Sequence, residues 1–195
     1  MKKVFVTWDD VQRQTQEILR QMQQDNWLPD YIVGITRGGL TPANLLSQYL
    51  DIKMYTLDVR LRDGDGEVES NLWMSEQAFG YNSTQDKVKG ARWDPGLRKK
   101  VLIVDDINDS GATIKWIVED WQSSCSPGNQ EECKSVWNTV WGNTVRFAVL
   151  YNNLASDSGV NYSAQEINKI EDPSWIVFPW EEWWKRWDPN EEIMK

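Results

Sequence analysis

The sequence predicts an α/β fold: a mostly parallel central sheet with helices packed on both of its faces. Two observations carry this expectation. Apolar runs recur along the chain, YIVGIT (31–36), VLIV (101–104) and VRFAVLY (145–151), and the last two read as strands buried on both faces. Segments of helical character stand between the runs, and the order strand–helix–strand is that of a parallel sheet. The 195 residues, 40% of them hydrophobic, suit a single domain over 1–195 with its own core.

Val4 to Val6 reads as a first short strand, and Thr7 opens a helix with Asp9 and Asp10 in its first turn, where the helix dipole favours acids. Val11, Ile18, Leu19 and Met22 fall on one face of that helix. After the second strand, 31–36, Arg37-Gly38-Gly39 forms a tight loop, and Pro42 suits the first turn of a helix running to about Leu50. KMYTLDV (53–59) is a third strand. Residues 60–98 are rich in Gly, Asp, Ser, Asn and Lys with little periodicity, and a loop of that length is functional or disordered. VLIV follows and ends in Asp105-Asp106, then a helix from about Ile114 to Trp121. Residues 122–143 form a second polar excursion. VRFAVLY is the next strand, and Trp175 to Phe178 a last short extended segment before an aromatic, charged tail over 182–195.

Composition removes several function classes. The net charge of −9 opposes broad nucleic-acid binding, which needs a basic surface. No apolar stretch is long enough to span a bilayer and the N-terminus lacks a secretory core, so the expected location is the cytoplasm. Cys125 and Cys133 are not spaced as a zinc pair; a disulfide between them is one reading, and free thiols in a reducing cytosol the favoured one. The chain has no histidine. Imidazole acid–base chemistry and histidine-activated nucleophiles are therefore excluded, and proton transfer falls to Asp, Glu, Lys, Tyr or the substrate.

The informative segment is Val101 to Thr113, VLIVDDINDSGAT. A parallel strand delivers its last residues to the carboxyl edge of the sheet, where open α/β folds bind ligands. Here that edge carries Asp105 and Asp106, oxygen donors suited to ribose hydroxyls or to Mg²⁺, directly or through water. Asp109 follows, and then Ser110, Gly111, Ala112 and Thr113 bring backbone N–H groups and two hydroxyls to a helix N-terminus, a cradle for a phosphate. Alone, an acid pair after a strand is usually a solvated strand end and Ser-Gly-Ala-Thr an ordinary cap. Their conjunction behind a buried strand is far more specific, and it is neither a Walker loop nor the dinucleotide fingerprint.

VLIVDDINDSGAT resembles the signature with which type I phosphoribosyltransferases bind phosphoribosyl pyrophosphate, PRPP. VFVTWDDVQ (4–12), GITRGGLTPANLL (34–46) with YLDIK (49–53), and DPSWIVFPWE (172–181) are similar, in the same order, to the corresponding parts of the bacterial xanthine-guanine members. The resemblance implies the type I phosphoribosyltransferase fold, with 60–98 as a mobile hood over the site. It implies a Mg²⁺-dependent purine-salvage transfer of 5-phosphoribosyl from PRPP to a 6-oxopurine base (guanine, xanthine or hypoxanthine), giving GMP, XMP or IMP and pyrophosphate. It also implies a homo-oligomer. The alternatives within the family are a PRPP-binding regulatory protein without robust turnover and a transferase for another nucleobase.

Residue by residue, the resemblance assigns Thr36, Arg37, Gly38 and Gly39 to pyrophosphate, through a loop of strained peptide geometry. It assigns Asp105 and Asp106 to the ribose hydroxyls and Mg²⁺, and Ser110, Gly111, Ala112 and Thr113 to the 5′-phosphate. Asp109 takes the place of the acid/base group at N7 of the purine. Trp175 takes the place of the aromatic that stacks on the base, with Ile176 offering backbone groups to its edge. Where the family has a lysine facing O6 of the base, this sequence has Asn152-Asn153, and Asn153 is the expected substitute. Charge on the hood would come from Lys87, Lys89, Arg92 or Arg98.

Overall fold

The computed structural model describes residues 2–59, 71–81, 93–126 and 129–181. Lys87, Lys89 and Arg92 of the first excursion, and the tail's Trp183, Trp184 and Trp187, lie outside the described residues.

Strand β1 is Lys2–Phe5. Thr7 then caps helix α1, Trp8–Gln24, through a reciprocal capping box. Its hydroxyl accepts from the Asp10 N–H at 3.1 Å, and the Asp10 carboxylate accepts from the Thr7 N–H at 2.9 Å. The face predicted from periodicity, Val11, Ile18, Leu19 and Met22, is buried. Strand β2, Tyr31–Thr36, helix α2, Leu40–Leu50, and strand β3, Met54–Asp58, follow as expected.

The first excursion contains an element that the sequence reading missed: helix α3, Leu72–Phe79, which buries Met74, Ser75, Ala78 and Phe79. Two turns of helix set in polar surroundings give too short a periodic signal to stand out. Strand β4, Val101–Asn108, runs past VLIV, so Asp105 and Asp106 lie within the strand rather than after it. Helix α4, Ala112–Ser124, extends beyond the expected 114–121 at both ends. The second polar excursion contains helix α5, Gln130–Asn138, whose solvent face hides the inward Cys133, Val136 and Trp137. Strand β5 is Val145–Asn153. Strand β6, Tyr162–Ile167, was also missed: it is an edge strand whose SAQEI run carries little apolar character. Strand β7 is Ser174–Val177. Both cysteines are free and buried, and burial pushes the Cys125 thiol up to about 12.

Strands β3-β2-β4-β5-β6 form one sheet, and every pairing in it is parallel. Successive residues of β4 feed opposite cores. Leu102 and Val104 pack with α1 and α2, while Val101 and Ile103 pack with α3, α4 and α5. A parallel sheet must be covered on both faces, and these apolar layers do so. The chain leaves β2 toward β3 on one side and leaves β4 toward β5 on the other. A crevice therefore opens above the carboxyl ends of β2 and β4, the switch point where such sheets bind ligands. Strands β1 and β7 pair in parallel as a separate two-stranded sheet, with Trp175 opposite Lys3. Among the described residues, no helix is long and apolar enough to cross a membrane.

Candidate active site

A cavity of about 840 Å³ occupies that crevice. Its walls are the ends of β2, β3 and β4, the first turn of α4, and the segment from Trp175 to Glu181.

The loop after β2 forms one wall. The Thr36–Arg37 peptide is cis, and the Thr36 hydroxyl donates to Asp58 Oδ1 at 2.7 Å, tying the loop to the end of β3. Two glycines let this loop lie directly on β4. A Cβ on Gly38 would come 2.0 Å from Asp106 Oδ2, and one on Gly39 would come 2.2 Å from the Val104 carbonyl oxygen. The Arg37 guanidinium is exposed at the cavity and makes no ion pair with a described residue.

Asp105 and Asp106 form the floor, and the Asp106 N–H donates to Asp105 Oδ1 at 2.9 Å. Burial raises the Asp105 carboxyl well above the usual carboxylate range, and the neighbouring Asp106 charge adds to it. Asp106 is pushed up to about 6, first by burial and then by the charge of Glu181. Glu181 was not singled out in the sequence. It lines the same cavity, its Oε2 accepting from the Phe178 N–H at 3.0 Å. Its only sequence signal is its place at the end of the WIVFPWE segment.

Carboxylates held in this way are short of positive charge, and hard oxygen donors suit Mg²⁺. Among the described residues, no three acidic or sulfur side chains are grouped to hold a metal unaided. One or two carboxylates are what Mg²⁺ takes when substrate phosphates supply further oxygens, so the donor set fits a metal carried in with a diphosphate.

Asp109 to Thr113 form the opposite wall. Gly111 precedes α4 with φ of +85°, and a Cβ there would meet both Ser156 Oγ and Ser158 N at 2.8 Å. The turn is thus braced from behind by the 156–158 loop. The N–H groups of the first turn of α4 have no partner within the helix, a dipole end suited to an anion. The structure therefore brings together Thr36 to Gly38 and Asp105 to Thr113 around one cavity, with Gly39 packed behind the first loop.

The third side is aromatic. Trp175 is 40% exposed and faces the cavity, Ile176 lines it but is buried, and Phe178 lies below. Asn153 requires a correction. It is 7% exposed and is not part of the cavity wall. Its Nδ2 donates to the Asp109 carbonyl at 2.9 Å, and its Oδ1 accepts from the N–H of Ala155 at 3.2 Å and of Lys169 at 3.1 Å. With its amide held by Asp109, Ala155 and Lys169, it ties three chain segments together and lies outside the cavity wall.

Lys169, which lies outside the segments that carried the resemblance, lines the cavity. Its Nζ lies 2.8 Å from Asp109 Oδ2 and 5.9 Å from the centre of the Trp175 ring. Arg98 also requires a correction, since it does not reach the site. It donates to Thr139 Oγ1 at 2.9 Å and lies over the Trp93 ring, just before the amino end of β4.

Comparison with known proteins bears on the fold and the family. The chain is 28% identical over 184 residues to xanthine-guanine phosphoribosyltransferase of Cereibacter sphaeroides, covering 92% of this chain and 87% of that protein. It is 21% identical over 193 residues to xanthine phosphoribosyltransferase 1 of Saccharomyces cerevisiae, covering 92% and 90%. Its fold matches the crystal structure of a purine phosphoribosyltransferase from Pyrococcus horikoshii with a TM-score of 0.59 at 23% identity, over 100% of this chain and 99% of that one. It matches Helicobacter pylori xanthine-guanine-hypoxanthine phosphoribosyltransferase with a TM-score of 0.60 at 17% identity, over 93% and 95%. The family model for the phosphoribosyl transferase domain matches residues 7–187. The expectations of fold and family raised by VLIVDDINDSGAT are borne out: the chain belongs to the phosphoribosyltransferase domain family.

Proposed function

We propose that this chain is a purine-salvage phosphoribosyltransferase that transfers 5-phosphoribosyl from PRPP to a 6-oxopurine base and releases pyrophosphate. One observation carries the reading. A half-buried acid pair on β4 shares one cavity with the loop after β2 and the turn that opens α4, with an exposed Trp on a further side. The purine-specific relatives support the choice of base.

In this reading the turn from Ser110 to Thr113 takes the 5′-phosphate on backbone N–H groups and hydroxyls. Asp105 and Asp106 hold the ribose hydroxyls and would hold Mg²⁺ together with the pyrophosphate oxygens. Mg²⁺ there supplies positive charge against the departing pyrophosphate. Arg37 and the N–H groups of the 36–39 loop bind the same group and stabilise the charge it gains on leaving. The base stacks on Trp175, whose large π-face suits a flat heterocycle. Asp109 holds the proton at N7 while N9 attacks C1′ from the face opposite the leaving group. Positioning of two reactants by fixed loops provides much of the rate.

The test is a panel of guanine, xanthine, hypoxanthine, adenine, uracil and orotate with PRPP and Mg²⁺, read as pyrophosphate release. Turnover with one or more of the first three, and little with the rest, is the expected result. Turnover confined to adenine or a pyrimidine would overturn the choice of base, and no uptake of PRPP with Mg²⁺ would overturn the whole reading.

A further inference from the structure

We infer that Asn108 and Ser156 are positioning residues for the 5′-phosphate: their side chains form one polar clamp that holds the turn from Asp109 to Gly111 in the shape that offers its N–H groups to the cavity. This inference rests on the transferase reading above.

Asn108 is the last residue of β4 and pairs in register with Asn152 of β5. It is 4% exposed, and an amide is costly there unless its polar atoms find partners. Each of them has one. Nδ2 donates to Asn152 Oδ1 at 2.8 Å and to the Ser158 carbonyl at 2.7 Å, and Oδ1 accepts from the Ser156 hydroxyl at 3.0 Å. Ser156 Oγ in turn accepts from the Ser158 N–H at 3.2 Å. An apolar residue at 108 would leave the backbone pairing with β5 in place. What the amide adds is a fixed distance between the end of β4 and the loop behind the turn.

That loop meets the turn at three consecutive residues. The Asp109 carbonyl accepts from Asn153 Nδ2 at 2.9 Å, and the Ser110 carbonyl from the Asp157 N–H at 3.3 Å. Gly111 is packed so closely that a Cβ would lie 2.8 Å from Ser156 Oγ and from Ser158 N. In a planar trans peptide the C=O and the following N–H point in opposite directions. Asn153, Asp157 and Ser156 are not part of the cavity wall, whereas Ser110 and Gly111 are. With the carbonyls of 109 and 110 drawn away onto the loop, the N–H groups of Ser110 and Gly111 are turned the other way. Neither has a hydrogen-bond partner among the described residues, and both suit an anion. The clamp thus acts on the phosphate through the turn and touches no ligand itself.

The test titrates PRPP·Mg²⁺, pyrophosphate·Mg²⁺ and GMP by calorimetry into the full chain, Asn108→Leu, Ser156→Ala and the double variant, with melting temperatures as a folding control. PRPP and GMP share the 5′-phosphate, and pyrophosphate has none. Each single variant should weaken PRPP·Mg²⁺ and GMP by the same factor, about fivefold, the order of one neutral hydrogen bond, and leave pyrophosphate·Mg²⁺ within about twofold of wild type. The double variant should lose no more than the worse single one, because members of one network do not add. If Asn108→Leu fails to fold, Ser156→Ala, on a half-exposed loop, carries the test alone.

Loss of all three ligands in Ser156→Ala would reduce the clamp to general support for the sheet and overturn the inference. Loss of GMP alone would place its effect at the base, and unchanged PRPP·Mg²⁺ affinity would leave it no effect on the phosphate; either overturns the inference as well. In each of those cases, PRPP·Mg²⁺ binding by wild type leaves the transferase reading standing. Absence of that binding in wild type would remove the reading, and this inference with it.

Discussion

Gly38 and Asp106 are so close that a methyl group on the glycine would lie 2.0 Å from the carboxylate's Oδ2. The loop after β2 and the acid pair on β4 are therefore one surface, and neither can be altered without the other. Gly38→Ala is expected to displace the Asp106 side chain and weaken PRPP·Mg²⁺ at least about tenfold, with little change in melting temperature. Gly39→Ala meets a backbone oxygen instead, at 2.2 Å. A backbone contact cannot rotate away, so this variant should also lose about 1–3 kcal/mol of stability, the usual cost of overpacking. Calorimetry and denaturant melts together separate the two effects.

In the proposed reaction Asp109 acts on the base rather than on the sugar phosphate, and its carboxylate is paired with Lys169 beside Trp175. Asp109→Asn should lower kcat roughly a hundredfold or more, within the range for loss of a positioned acid–base group, and leave the PRPP dissociation constant nearly unchanged. Steady-state kinetics paired with direct PRPP titration is the check. A rate equal to wild type would remove Asp109 from the chemistry.

The Asp106 carboxyl is raised from 3.8 to about 6 by burial and by Glu181. Its folded state binds the proton more tightly than its unfolded state. This group's contribution to stability is therefore fully present below 3.8 and is lost as pH rises through about 6. At neutral pH the ionised Asp106 carboxylate therefore opposes folding, and a cation bound beside it would relieve that cost. Asp106→Asn should accordingly raise the melting temperature of the ligand-free protein at pH 7.5 and abolish the gain that PRPP·Mg²⁺ confers. In wild type, PRPP·Mg²⁺ affinity should fall as pH drops below about 6, and Glu181→Gln should move that midpoint to lower pH. Titrations in buffers of different ionisation enthalpy would count the protons released.

Trp175→Ala removes the stacking face but touches neither anion loop. Stacking on an aromatic is worth roughly 1–3 kcal/mol per base, so the KM for the base should rise about five- to hundredfold while PRPP affinity holds. An equal loss for both substrates would show that Trp175 instead supports the β1–β7 pair.

Much of this was readable in advance, and the failures share causes. α1 carried a capping box and a one-sided apolar face, β2 and β4 were apolar runs, and the acid pair with its small-residue turn was specific enough to name a ligand. Helices α3 and α5 were not seen because two turns of helix with polar outer faces look like loop. Edge strand β6 has little apolar pattern because it has one neighbour in the sheet. Lys169 and Glu181 lie far along the chain from the acid pair and reach the cavity through tertiary packing, with only Glu181 marked by its place in the WIVFPWE segment. Asn153 was assigned by position alone, and its true partners lie on three segments.

The knot made by Asn153 constrains how this pocket can be rebuilt. Restoring a lysine at 153 by itself would strip the joint that seats Asp109 and the turn at 169, and would set a second ammonium near the one already there. Positions 153 and 169 are therefore coupled: a lysine at 153 offers no acceptor to the N–H groups of Ala155 and residue 169, so exchanging the two residues keeps the charge count and loses the joint.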